Sequence, residues 1–180
     1  LLNRFYSDQS RWGSFFQMKV FHDKVTTAVK IWEDAIEYSK LPFTKVLIIC
    51  ERWITTDCIF MKMLHDSHTI DDLEWQVYNE WWSLWSKVVP FVPKLFIYVR
   101  PSLDECMRRL RERNREGEDK ISIEYQSNLL QEHDNYFRDD YVSLDKLKIP
   151  ILKIEGDNNY RDSEYEFMKL FNIIDPKIRE

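Results

Sequence analysis

Three short, almost wholly apolar runs constrain this chain more than anything else in it: TKVLIIC at Thr44 to Cys50, KLFIYV at Lys94 to Val99 and IPILKI at Ile149 to Ile154. Residues that are apolar consecutively, rather than alternately, suit strands covered on both faces, as in a parallel sheet. Pro150 cannot donate to a ladder, so the last run is predicted to be an edge or late-starting strand. Between the runs the periodicity is helical. Phe21, Val25, Ala28, Trp32 and Ala35 recur at steps of four and three, predicting one long helix over about Ser14 to Tyr38 that ends at Leu41-Pro42. Further helices are predicted over Thr55 to His65, over Asp71 to about Val88 with Asp71 and Glu74 spaced for a capping box, from Ser102, over about Ser122 to Phe137, and over Tyr160 to Phe171. Strands alternating with helices predict an α/β fold, a parallel sheet flanked by helices, as a single domain over residues 1–180.

Charge and cysteine usage narrow the function. With 31 acidic and 26 basic residues the net charge is −5, which excludes a generally basic nucleic-acid coat, and no nucleic-acid partner is expected. No apolar run approaches the roughly 20 residues of a membrane helix, so no membrane association is expected. Cys50, Cys58 and Cys106 are odd in number and lack C-x-x-C spacing. That predicts a reducing intracellular compartment, the cytoplasm first and a mitochondrion second.

In an open parallel sheet the ligand crevice lies beyond the carboxyl ends of the strands, where Glu51 and Arg52 stand. A carboxylate there suits Mg²⁺ or its water shell, and a guanidinium suits phosphate oxygens; a structural ion pair is the equal alternative. Asp57, six residues on, reads either as a site residue or as a helix-end carboxylate. RRLRERNRE, from Arg108 to Glu116, concentrates five arginines in an acidic chain. Arg109, Arg113 and Arg115 could fold over a polyphosphate, although a solvated face laced by Glu105, Glu112 and Glu116 is the better reading of the spacing alone. Gln17 and Lys24, seven apart, share a helix face, with Phe16 and Phe21 nearby, and a carboxamide can read a base edge. The four histidines show no metal-ligand pattern, and Trp75, Trp81, Trp82 and Trp85 follow helical spacing, suiting a core or an oligomer interface.

Taken in order, YSDQSRWGSFFQ (Tyr6 to Gln17), VLIICERWITTDCIF (Val46 to Phe60), IDDLEWQVYNEWW (Ile70 to Trp82), LFIYVRPSLDECMRRLRERNREGED (Leu95 to Asp119) and IEYQSNLLQEHDNYF (Ile123 to Phe137) resemble the deoxyribonucleoside kinase family. The resemblance implies a P-loop kinase fold that transfers the ATP γ-phosphoryl group to the 5′-hydroxyl of a deoxynucleoside, with Mg²⁺, generally as a homodimer. It implies that Gln17 and Asp57 read the base, that Lys24 stands where some relatives have a base-contacting Arg, and that Phe60, within a residue of register, stacks on the base beside Phe16. Tyr6 and Glu118 match the pair that holds the sugar 3′-hydroxyl. Arg52 matches the arginine beside the 5′ position, Glu51 its Mg²⁺-associated neighbour, and Arg109, Arg113 and Arg115 the lid arginines that clamp ATP phosphates. Asp57 tilts the expected substrate toward deoxycytidine or purine deoxynucleosides.

Two departures stand out. Trp53 replaces the Ser usual after Glu-Arg, which predicts bulk beside the transfer site. The larger one concerns the donor site: with three glycines, none followed by Lys, the sequence contains no G-x-x-x-x-G-K-[ST] to cradle donor phosphates. The kinase fold is therefore expected to be incomplete at its amino-terminal side, as a truncated kinase first and, in the alternative, as a non-catalytic nucleoside-binding remnant or subunit without its own ATP site. Its Thr44–Cys50 strand should then lack the central neighbour it has in the family.

Overall fold

A computed structural model describes residues 1–89, 91–144 and 146–179. Its elements in chain order are α1 (Leu2–Ser7), α2 (Gln9–Ser39), a 3₁₀ turn (Ile54–Thr56), α3 (Cys58–Asp66), α4 (Asp72–Val88), β1 (Phe96–Arg100), α5 (Leu103–Arg113), a second 3₁₀ turn (Glu118–Lys120), α6 (Ile123–Tyr136), β2 (Tyr141–Leu144), β3 (Leu147–Glu155) and α7 (Glu164–Arg179). They form two compact units, one of Leu1–Val92 with Arg115–Glu132, the other of Pro93–Asn114 with the chain from His133 onward.

The first unit is helical. Asp8 caps α2 by accepting from the Arg11 backbone N–H at 3.0 Å, and Gly13, Ser14, Gln17, Phe21, Val25 and Ala28 form its buried stripe at helical steps. The capping box at α4 forms as predicted: Asp71 accepts from the Glu74 N–H at 2.8 Å, and Glu74 accepts from the Asp71 N–H at 2.9 Å. The other oxygen of Glu74 accepts from Ser14 Oγ at 2.5 Å, so one carboxylate both caps α4 and ties it to α2. Phe5, Phe21, Ile54, Met61, Leu64 and Tyr78 are the heart of the apolar core.

The second unit carries the sheet, in the order β1-β3-β2. The carboxyl half of β3 pairs in parallel with β1, from Phe96 opposite Ile151 to Arg100 opposite Glu155. Its amino half pairs antiparallel with β2, from Tyr141 opposite Pro150 to Leu144 opposite Leu147. Phe96, Phe137, Val142, Ile149 and Ile154 are buried in this unit. Gly156 follows β3 against the backbone of β1's exit, where a Cβ would lie 2.4 Å from the Pro101 nitrogen, so only glycine fits.

Three expectations are corrected. Thr44–Cys50 is not a strand, and Val46, Leu47 and Ile49 are 40%, 59% and 77% exposed. A strand exists only with a neighbour to take its N–H and C=O groups, and among the described residues none lies alongside this run. The α/β class holds, with β1 and β3 paired in parallel and β2 added as an antiparallel strand. The run around Ile149 to Ile154 is the central strand, not an edge, and Pro150 is accommodated where β3 changes partner from β2 to β1. The last helix starts later than Tyr160 and continues through Pro176 to Arg179.

Candidate substrate site

Asp57 is a charge enclosed in the first unit, with 0% of its surface exposed. It stands where the first 3₁₀ turn passes into α3, with helical φ −64 and ψ −33, and its side chain makes no capping hydrogen bond to α3. Its place at the start of α3 agrees with the helix-end reading, but capping does not account for the partners of its side chain. Lys24 Nζ, from α2, lies 2.5 Å from Asp57 Oδ1, and Tyr78 Oη, from α4, donates to Oδ2 at 2.8 Å. Three helices thus meet on one carboxylate. Burial, and then the Asp57 charge, push the Tyr78 phenol well above its ordinary range, so its hydroxyl stays a donor. Burial also raises the neighbouring Cys58 thiol to about 12, which leaves it an unreactive packing group.

Gln17, only 2% exposed, belongs to the same stripe of α2 two turns before Lys24. Enclosing a carboxamide is costly unless its groups are used, so its place on the inward face of α2 sets it apart from a solvated glutamine. The sequence held a signal for this, since Gln17 is four residues from Phe21 and continues its stripe.

A second group of candidates gathers around aromatic rings. Arg52 adopts a left-handed backbone, φ 56, and its guanidinium carbon lies 4.4 Å from the centre of the Phe60 ring. Strain at a non-glycine residue persists where the surroundings hold it. Arg52 is exposed as a residue, yet crowding around its guanidinium lowers its pKa while Glu51 and then Asp57 oppose that shift, so it keeps its charge. Phe16 stacks on Phe5 at 4.6 Å, and Tyr6 meets Tyr125 edge-on at 6.1 Å. Glu118, 5% exposed, opens the second 3₁₀ turn, which packs on α1, the helix of Tyr6. Gly117 before it has φ 87, a backbone that favours glycine, and a Cβ there would turn aside the Asn3 side chain of α1, whose Oδ1 would lie 2.0 Å away.

Trp53, the departure from the family pattern, packs within the first unit. Its ring packs 4.6 Å from Phe91, which stacks on Trp32 at 5.2 Å. Arg115 is exposed, with its carbonyl accepting from the Glu118 N–H at 3.1 Å. Arg109 and Arg113 belong to the second unit. There Arg109 pairs with Glu105 at 2.6 Å, and Arg108 bonds both Glu105 and Glu112, much of the laced face that spacing favoured. Arg108 first, then Arg109, hold the Glu105 carboxyl down to about 2. Among the described residues no three His, Cys, Asp or Glu gather as a metal site. Exposed Glu51 still fits Mg²⁺, which commonly uses one or two carboxylates and keeps several waters.

The residues missed at the level of sequence are Tyr78 and Tyr125. Neither is singled out by spacing, and only the fold shows that the hydroxyl of one meets Asp57 and the ring of the other meets Tyr6.

No helix among the described residues is long and apolar enough to cross a membrane. The family model for deoxynucleoside kinases matches residues 1–179. The chain is 33% identical over 177 residues to a probable deoxycytidine kinase of fowlpox virus, covering 97% of this chain and 71% of that one. To deoxycytidine kinase 2 of Gallus gallus it is 27% identical over 170 residues, covering 91% of this chain and 63% of the relative. Its fold is shared with the deoxyadenosine kinase of M. mycoides solved with bound dATP, at TM-score 0.69 and 19% identity over 95% of this chain and 80% of that one. Another structure of that kinase, with products bound, gives a TM-score of 0.72 at 20% identity over 96% and 80%. A family match along nearly the whole length, a fold that agrees and a relative one-third identical lead to one assignment: the chain belongs to the deoxynucleoside kinase family.

Proposed function

We propose that the protein phosphorylates the 5′-hydroxyl of a deoxynucleoside at the expense of ATP, and that Gln17, Lys24 and Asp57 read the base. The buried Asp57 carboxylate, bonded to Lys24 and Tyr78 rather than capping its helix, carries this reading. An ionised carboxylate only accepts hydrogen bonds, so it suits the amino groups of cytosine and adenine and opposes the O4 acceptor of thymine. Phe16 and Phe60 offer ring faces for the base, and Tyr6 with Glu118 holds the sugar. Arg52 steadies the 5′ end. Glu51 would hold Mg²⁺, which when bound neutralises phosphate charge, and Arg109, Arg113 and Arg115 would grip donor phosphates, positioning and charge neutralisation being the main demands of this chemistry. An odd number of cysteines without C-x-x-C spacing supports a reducing, cytoplasmic setting.

Equilibrium dialysis with four radiolabelled deoxynucleosides tests the reading. The protein is expected to retain deoxycytidine or a purine deoxynucleoside over thymidine, and Asp57→Ala to shift the preference toward thymidine by about tenfold or more, the worth of a hydrogen bond to a charged group. Unchanged preference in the variant would remove Asp57 from base recognition.

We also propose a homodimer. Leu73, Val77, Trp81, Leu84 and Val88 follow helical steps on α4 and are all exposed, Trp81 by 50%, giving an apolar face suited to a second copy. Sedimentation velocity should show a dimer for the parent and a monomer for Trp81→Glu; a parent monomer at tens of micromolar would refute this.

A further inference from the structure

Tyr78 is entirely buried, and its ring is held between Phe21 of α2, edge-on at 5.8 Å, and Trp75 of its own helix, stacked at 6.2 Å. That clamp leaves the hydroxyl little freedom, and it is spent on Asp57 Oδ2 at 2.8 Å. Lys24 holds the other oxygen, so the carboxylate is pinned at both atoms by donors from different helices. Each oxygen of a carboxylate has two acceptor directions, so one donor apiece still leaves capacity for a ligand N–H. Lys24 and Tyr78 differ in kind. Lys24 has a flexible stem and 19% side-chain exposure, whereas Tyr78 is rigid and dry, and so defines where the free acceptor directions of Asp57 point.

We infer that Tyr78 is the positioning residue for base selection, orienting Asp57 so that the site prefers deoxynucleosides whose base presents an exocyclic amine, cytosine or adenine, over those presenting a keto oxygen. The inference rests on the reading of Asp57 as the base-contacting carboxylate and adds the group that aims it. Loss of the hydroxyl alone leaves Asp57 paired with Lys24 but free to turn, so discrimination should fall further than binding as a whole. A purely packing role would instead weaken all deoxynucleosides alike.

Calorimetric titration of the protein with deoxycytidine, deoxyadenosine and thymidine, before and after Tyr78→Phe, separates the outcomes. Amine-bearing deoxynucleosides are expected to lose about tenfold more affinity than thymidine does. In an Asp57→Ala background the same substitution is expected to leave the ratios unmoved. If the parent binds no deoxynucleoside, the proposed function fails. If the parent discriminates and Tyr78→Phe keeps the same ratio within twofold, the inference about Tyr78 is overturned while that function stands. Should Tyr78→Phe fail to fold, Tyr78→4-fluorophenylalanine fills the space of the hydroxyl without donating, and the same ratio decides.

Discussion

Lys24→Met is expected to lower the unfolding free energy by about 3 kcal/mol, and Lys24→Met combined with Asp57→Leu to restore most of it. The single change leaves a carboxylate in the core with Tyr78 as its remaining bonded partner, since Asp57 is 0% exposed and its ammonium partner at 2.5 Å is gone. Breaking a buried pair typically costs about 3–5 kcal/mol, and the 19% exposure of the Lys24 side chain lets water reach the gap, which places this case at the lower end. For a chain of this size the loss corresponds to a fall of about 6–12 °C in melting temperature, measurable by calorimetry. The double variant removes both charges and fills the space with hydrocarbon, so no uncompensated ion remains. A single-variant cost under about 1 kcal/mol would contradict the buried pair, because exposed pairs are worth no more than that. Recovery in the double variant would assign the pair to recognition, since apolar residues would then serve folding equally well.

That distinction bears on what could be read from the sequence. The stripe of α2, the capping box of Asp71 and Glu74 and the Ser102 cap of α5 are local patterns, set by contacts within a few residues, and they were legible. Thr44–Cys50 was not, because strand formation depends on a neighbour that no local pattern reveals; the run has strand composition and remains unpaired. β2 escaped notice since its four residues, YVSL, carry too little periodicity. The last helix is expected to end at Phe171, yet α7 continues through Pro176 to Arg179, lacking one N–H near its end. Asp57 and Lys24 were identified through resemblance, but their contact and the role of Tyr78 required three helices separated by dozens of residues to converge. A tyrosine within a helix carries no mark in the sequence of where its hydroxyl goes.

Arg113→Ala is expected to reduce phosphoryl transfer by about 10²–10³-fold while the dissociation constant for the deoxynucleoside stays within twofold. Arg113 is the last residue of α5 and is exposed, and Asn114 after it turns left-handed at φ 45, so the guanidinium leaves the helix where the chain changes direction. Its contribution to the helix is small: a cation in the last turn is worth about 0.3–1 kcal/mol against the dipole. A phosphate-gripping fork at a developing charge is worth about 3–4 kcal/mol, so the two roles differ in size as well as in kind. Arg109 is engaged by Glu105 at 2.6 Å, so its removal also disturbs that ion pair. Steady-state kinetics of the natural gene product with ATP and deoxycytidine, alongside thermal melts of each variant, separate these effects. A lid arginine lowers kcat with an intact melt and intact nucleoside binding. A merely structural arginine lowers the melting temperature by a few degrees and leaves kcat standing, and parallel losses of transfer and of nucleoside affinity would place Arg113 on the acceptor rather than the donor.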